Sequence, residues 1–206
     1  MGLSIAVFTA DMTNIFISVS APISNGNRHS GQISLMFVAE NDARFVPEIL
    51  ELLQNRNVQT TWFIGGNWAN ENRDLVQKIA SNHEIGNHGK SNRPLATLNE
   101  SAQRAEIHGG HDILHSITDN CSKLFLPPHA SFNNRTMRIT ERLGYRAVMW
   151  SRDASSAIIF NKAVFGVQSG DFIKLRPSLQ LFSVLNNILN EYATRNLRII
   201  PVGQNI

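Results

Sequence analysis

The stretch NHEIGNHGKSN, residues 82 to 92, places His83 and His88 close together and ends on Asn92. Two histidines four residues apart can face one ion. Here the residue four beyond His88 is Asn92, a side-chain amide, so the pattern reads as a metal site one ligand short. A second grouping is HGGHDILH, where His108, His111 and His115 are spaced by three and four and would share one helix face. That spacing suits surface histidines on an amphipathic helix as well as ligands. A third lies just after an apolar run, where Glu40 and Asp42 follow QISLMFV. The single cysteine, Cys121, allows no internal disulfide and no thiolate metal site, and it reads as a small, partly buried residue.

These residues need elements to position them. QISLMFV reads as a buried strand, RFVPEILELLQNRN as a helix with Val46, Ile49, Leu50 and Leu53 on one face, and VQTTWFIG as a strand. ENRDLVQKIASN predicts a helix, HEIGNH a short strand and loop, and LNESAQRAEIHGGHDILHSI a long helix weakened by Gly109 and Gly110. SKLFLPP is a strand stopped by prolines, NNRTMRITERLG a helix closed by Gly144, and YRAVMW and DFIKL are strands. PSLQLFSVLNNILNEYATRN is the last helix and LRIIPV the last strand; near the start, NIFISVS (Asn14–Ser20) also alternates like a strand. Repeated β-α units with short connections mean parallel strands with helices outside, hence an open doubly wound sheet or a barrel, and about seven strands favour the barrel. In a barrel of that kind the chemistry sits at the carboxyl ends of the strands.

The totals exclude several classes. A chain of 206 residues with 42% hydrophobic and 17% charged residues is globular, most simply one large core. A formal charge of +3, with its basic residues scattered, gives no nucleic-acid footprint. No apolar run reaches the length of a membrane-spanning helix. The apolar N-terminus lacks a basic region and is interrupted by Asp11, which makes a poor signal peptide.

Taken in order, the strand ends FVAEND, FIGGNW, GNHGKSN, LPPHAS, MWSRDAS and KLRPS resemble those of the polysaccharide deacetylases, the NodB-type carbohydrate esterases, most closely the sporulation-type subgroup. The segments TTWFIGGNWANENRDLVQKIASNHEIGNHG and LFLPPHASFNNRTMRITERLGYRAVMWSRD carry the likeness. The resemblance implies a distorted (β/α) barrel with about seven parallel strands. Residues 1–30 would form an N-terminal strand and loop packed on it, and 31–206 the NodB homology domain. It also implies metal-dependent hydrolysis of a sugar N-acetyl group. One Asp is the base, a second Asp and two His bind the metal, an Arg orients the base, and a His protonates the leaving amine. The family usually works at the cell envelope, and the substrate would be a peptidoglycan or chitin-like glycan.

Carried over residue by residue, that machinery is mostly replaced. The two aspartates fall on Val38 and Ala39, the two histidines on His88 and Asn92, the arginine on Leu126 and the tyrosine beside it on His129. The fourth-motif aspartate is matched by Asp153, and the acid histidine falls on Arg176. The losses are matched: Val38 and Leu126 replace a charged pair by an apolar one, which is near neutral where losing one partner costs roughly 3–5 kcal/mol. Asp153 and Arg176 are expected to form a new ion pair. The expectation is a pseudoenzyme with no bound metal, His88 as a remnant, and a cleft that keeps carbohydrate binding.

The alternative is an active hydrolase with a rebuilt zinc site from Glu40, His88 and His129, with Asp42 nearby. The odd step along the strand counts against Glu40, because one residue reverses a side chain's face. Trp68, in a loop, and Trp150 are candidate sugar platforms, while Trp62 and Phe63 are expected in the core. His83 is expected at the surface. Arg176, with Lys90 and Arg93, would favour an anionic ligand.

Overall fold

The computed structural model describes residues 21–119, 121–156 and 158–206, so the strand expected at 14–20 lies outside the described residues. The framework alternates strand and helix. It runs β1 (Gln32–Ala39), α1 (Val46–Asn55), β2 (Thr61–Ile64), α2 (Gly66–Glu71), α3 (Arg73–Asn82), β3 (Glu84–Asn87), α4 (Glu100–Ile117) and β4 (Cys121–Phe125). It continues through α5 (Asn134–Arg142), β5 (Arg146–Ala147), β6 (Arg152–Asp153), α6 (Ile159–Val164), β7 (Phe172–Leu175), α7 (Leu179–Thr194), β8 (Arg198–Ile199) and α8 (Val202–Asn205).

Seven strands lie in the order β5-β4-β3-β2-β1-β7-β6, all parallel, and the short β8 pairs with the start of β1. This is the distorted α/β barrel that the sequence predicts. Its two end strands, β5 and β6, are not paired with each other. Residues just before β1 tie that side together: Ile23 bridges Val148 and Asn25 bridges Asp171.

The strand pattern sorts the core into two layers. Ile33, Leu35, Phe37 and Ala39 point outward, where they pack with Trp62, Ile64, Ile173, Leu175 and the helices. Met36 and Val38 point inward with Phe63, Leu124, Leu126, Val148 and Phe172, and fill the inside of the curl. Period-two alternation thus decides which residues can reach the cleft. Both faces of β1 are covered, so its sequence is apolar throughout, as parallel strands require. The helices start where local chemistry says they should. Asn99 caps α4 by accepting from the Ala102 N–H at 2.9 Å, Asn133 and Thr136 form a capping box at α5, and Ser178 caps α7.

Two expectations need correcting here. Helix 71–82 is broken at Asn72, and its upstream neighbour α2 occupies a stretch read as loop; the Asn72 side chain donates to the Trp68 carbonyl at 2.9 Å. Helix α4 forms as expected, and its glycines leave it unbroken for 18 residues. A Cβ on Gly110 would meet Asn87 Oδ1 at 2.5 Å, so glycine is what lets the loop after β3 lie against this helix. Finally, YRAVMW yields only the two-residue β5, while β6, α6 and α8 were not read as elements.

Candidate functional site

The carboxyl ends of β1, β3, β4 and β7 surround a cavity of about 270 Å³ lined by Val38, His88, Leu126, His129, Trp150, Asp153, Lys174 and Arg176. Its apolar wall is Val38, 3% exposed, against Leu126, which is fully buried. They belong to the same inner cluster, so the two positions are filled by packed hydrocarbon.

The polar wall is built around Glu40. Strand β1 ends at Ala39, and the bend that follows turns the Glu40 side chain inward, leaving it 3% exposed. The strand-face argument against Glu40 therefore does not apply, because alternation stops where the strand stops. One carboxylate oxygen, Oε2, lies 3.2 Å from His88 Nε2, and the other, Oε1, lies 2.5 Å from Arg176 Nη2. His88 Nδ1 lies 2.7 Å from the Leu126 carbonyl. A carbonyl only accepts, so Nδ1 donates. The other nitrogen, Nε2, faces the Glu40 carboxylate. Burial works to raise the Glu40 carboxyl, but the His88 hydrogen bond and the charges of His88, Arg176 and His129 outweigh it and hold it below the usual range.

The expected Asp153–Arg176 pair does not form. Asp153 bonds Lys174 Nζ at 2.9 Å, and Arg176 is spent on Glu40. The reason is register. Phe172 and Lys174 alternate onto the inner face of β7, Arg176 lies just past the strand's end, and Asp153 is paired in the sheet with Lys174, two residues before Arg176. Lys174, 7% exposed, was missed by sequence reasoning; a lysine inside an otherwise apolar strand was the available signal. Its ammonium also sits 3.8 Å from the centre of the Trp150 ring. Burial works to raise the Asp153 carboxyl, but hydrogen bonds from Ser155 and Lys174 hold it low.

The remaining candidates scatter. His129 is at the rim, donating from Nε2 to the Asn92 carbonyl at 3.0 Å. Asn92, His129 and Ala130 all have φ near +55°, a left-handed cluster where the loops after β3 and β4 meet. The Asn92 side-chain oxygen is buried without a partner among the described residues. Ala39 lies in the outer core. Asp42 is turned to solvent against Arg44, at 2.6 Å. Trp68 is no platform: it sits in α2, 4% exposed. Trp62 and Phe63 are buried, as expected of core residues. His83 is buried, not at the surface. Just before β3, its Nδ1 accepts from the N–H of Thr60, which just precedes β2, and burial pushes the His83 pKa down to about 4. On α4, His108 pairs with Asp112 at 2.7 Å while His111 stacks on His115, so the three histidines do not converge. Lys90 lies along Gly109, and Arg93 faces Glu106 at 3.9 Å, so of the three expected cations only Arg176 lines the cavity. Among the described residues no three His, Cys, Asp or Glu side chains gather into a metal-binding group.

The fold and cleft are those of a parallel α/β half-barrel with a polar site at its strand ends. Residues 25–148 match the polysaccharide deacetylase family model, and the chain belongs to that family. It is 30% identical over 130 residues to a peptidoglycan-N-acetylglucosamine deacetylase of Bacillus cereus, covering 63% of this chain and 47% of that protein. The chain spans about half the length of the first curated relatives it matches. A solved peptidoglycan N-acetylglucosamine deacetylase superposes with a TM-score of 0.85 at 25% identity, covering 90% of this chain and 92% of the other. A family 4 carbohydrate-esterase pseudoenzyme from Bacillus anthracis superposes at 0.86 with 20% identity, covering 90% and 68%. No described helix is long and apolar enough to cross a membrane.

Proposed function

We propose that this chain is a polysaccharide deacetylase-family protein that has lost metal binding and deacetylation and keeps its cleft for a peptidoglycan or chitin-like glycan. One observation carries the reading: the carboxylate beside His88 is already committed to the Arg176 guanidinium at 2.5 Å. A catalytic zinc needs three protein ligands and an open position. The residues at the positions carried over from the family do not fit one. Ala39 offers a methyl group to the outer core, Asn92 an amide, and His88 an imidazole engaged at both nitrogens. The base position is Val38, and the position that would orient it is Leu126, both buried among apolar neighbours. A guanidinium at the site would also repel an incoming cation. The fold is compatible with such a loss, since the Bacillus anthracis relative is itself a pseudoenzyme.

The test is direct. The protein is dialysed against zinc and its bound metal counted. Acetate release from N-acetylated chitooligosaccharides is measured with and without divalent metal, and retention on chitin and peptidoglycan is scored. The expected result is retention, no acetate, and much less than one zinc per chain. The second reading, a hydrolase with a rebuilt site, has the Glu40–His88 contact in its favour. It requires Arg176 to release Glu40 and His129 to release the Asn92 carbonyl. One tightly held zinc per chain with metal-dependent acetate release would establish it and refute the first.

A further inference from the structure

We infer that the cleft selects a sugar bearing a carboxylate and seats that carboxylate on the outward side of Arg176. This rests on the glycan-binding reading above and adds the ligand's chemical class. The Glu40–Arg176 pair is asymmetric. Its acid is 3% exposed and its base 38% exposed, so the pair hides its negative member and offers its positive one to the cavity. A guanidinium carries five donor hydrogens, and a single carboxylate contact leaves most of them free. Its Nε is buried, so the donors open to a ligand are on the Nη nitrogens. The planar guanidinium edge suits a carboxylate, which it can bind through two parallel hydrogen bonds.

The surroundings favour the same ligand. Lys174 lies two residues earlier in the chain, lines the same cavity and offsets the charge of Asp153. The nearby Asp153 does not repel an anion strongly, because Lys174 and Ser155 already hold its oxygens. The opposite wall, Val38 and Leu126, carries no charge to oppose an anion. A volume of about 270 Å³ admits one ring with a small substituent.

Calorimetric titration tests this with a matched set: the N-acetylglucosaminyl-N-acetylmuramic acid disaccharide, its methyl ester, chitobiose and N-acetylglucosamine 6-phosphate. The ester keeps the shape and removes the charge. The acid should bind at least tenfold more tightly than the ester at low salt, with the gap narrowing as salt rises. Arg176→Gln should abolish the gap. If that variant folds poorly, Glu40→Gln/Arg176→Met removes both charges together and should also abolish it. Equal binding of acid and ester, or a preference that survives loss of Arg176, overturns the inference while leaving glycan binding intact. Tighter binding of the phosphate overturns the carboxylate assignment. Failure of all four sugars to bind overturns the glycan reading itself.

Discussion

Removing Arg176 should expose how the site is held together. Glu40 is buried at 3% and touches two partners, His88 at 3.2 Å and Arg176 at 2.5 Å. In Arg176→Met the carboxylate stays buried with the histidine alone. Breaking a fully buried pair costs about 3–5 kcal/mol. Arg176 is 38% exposed, so water can partly replace it, and we expect about 1–3 kcal/mol. In Glu40→Gln/Arg176→Met both charges vanish, and the amide that replaces the carboxylate can still accept from His88. That double variant should return to within about 1 kcal/mol of the parent. Urea unfolding reads these differences. With a slope of about 2 kcal/mol per molar, the single variant's midpoint should fall by roughly 0.5–1.5 M and the double variant's should recover most of it. A single variant as stable as the parent would refute the argument. So would a double variant whose loss equals the sum of the two single losses, since residues in contact should couple.

Three further outcomes follow from the geometry. His83 is held near 4 in the folded protein against 6.5 unfolded, so the unfolded chain gains a proton first as pH falls. The stability from its burial is present above pH 6.5 and is lost on descending toward pH 4. The loss between pH 7 and 5 is about 2 kcal/mol, and in the urea midpoint His83→Gln should flatten that slope. Val38→Asp should destabilise by about 3–5 kcal/mol, because the new carboxylate faces fully buried Leu126. Adding Leu126→Arg should recover part of this in thermal melts, and an unchanged melting temperature for Val38→Asp alone would mean that the two do not meet. Gly110→Ala should lose about 1–3 kcal/mol despite alanine's higher helix propensity, because the new methyl meets Asn87 Oδ1 at 2.5 Å. A more stable variant would mean that the loop after β3 yields freely.

Much of the fold was legible because it follows from periodicity. The apolar runs of β1 and β2 and the 3.6-residue spacing in α1 are local signals, and the structure keeps them. The short elements β6, α6 and α8 were not, because two to six residues carry too little pattern. Trp68 and His83 were misplaced for a related reason. Each lies near a junction between elements whose direction is set by packing, on the outer core for Trp68 and against Thr60 for His83.

The sequence by itself determined which residue types occupy the strand ends: Val38 and Leu126 as hydrocarbon, His88 as a lone imidazole among replaced neighbours, and Arg176 as a cation. Only the tertiary structure decided who meets whom. Glu40 reaches inward because β1 has ended, and it claims Arg176. Asp153 takes Lys174 because the β6–β7 register offers that residue. Ion pairing depends on distances of a few ångströms between strands far apart in sequence. Composition fixes the charges available, while register and strand termination fix how they pair.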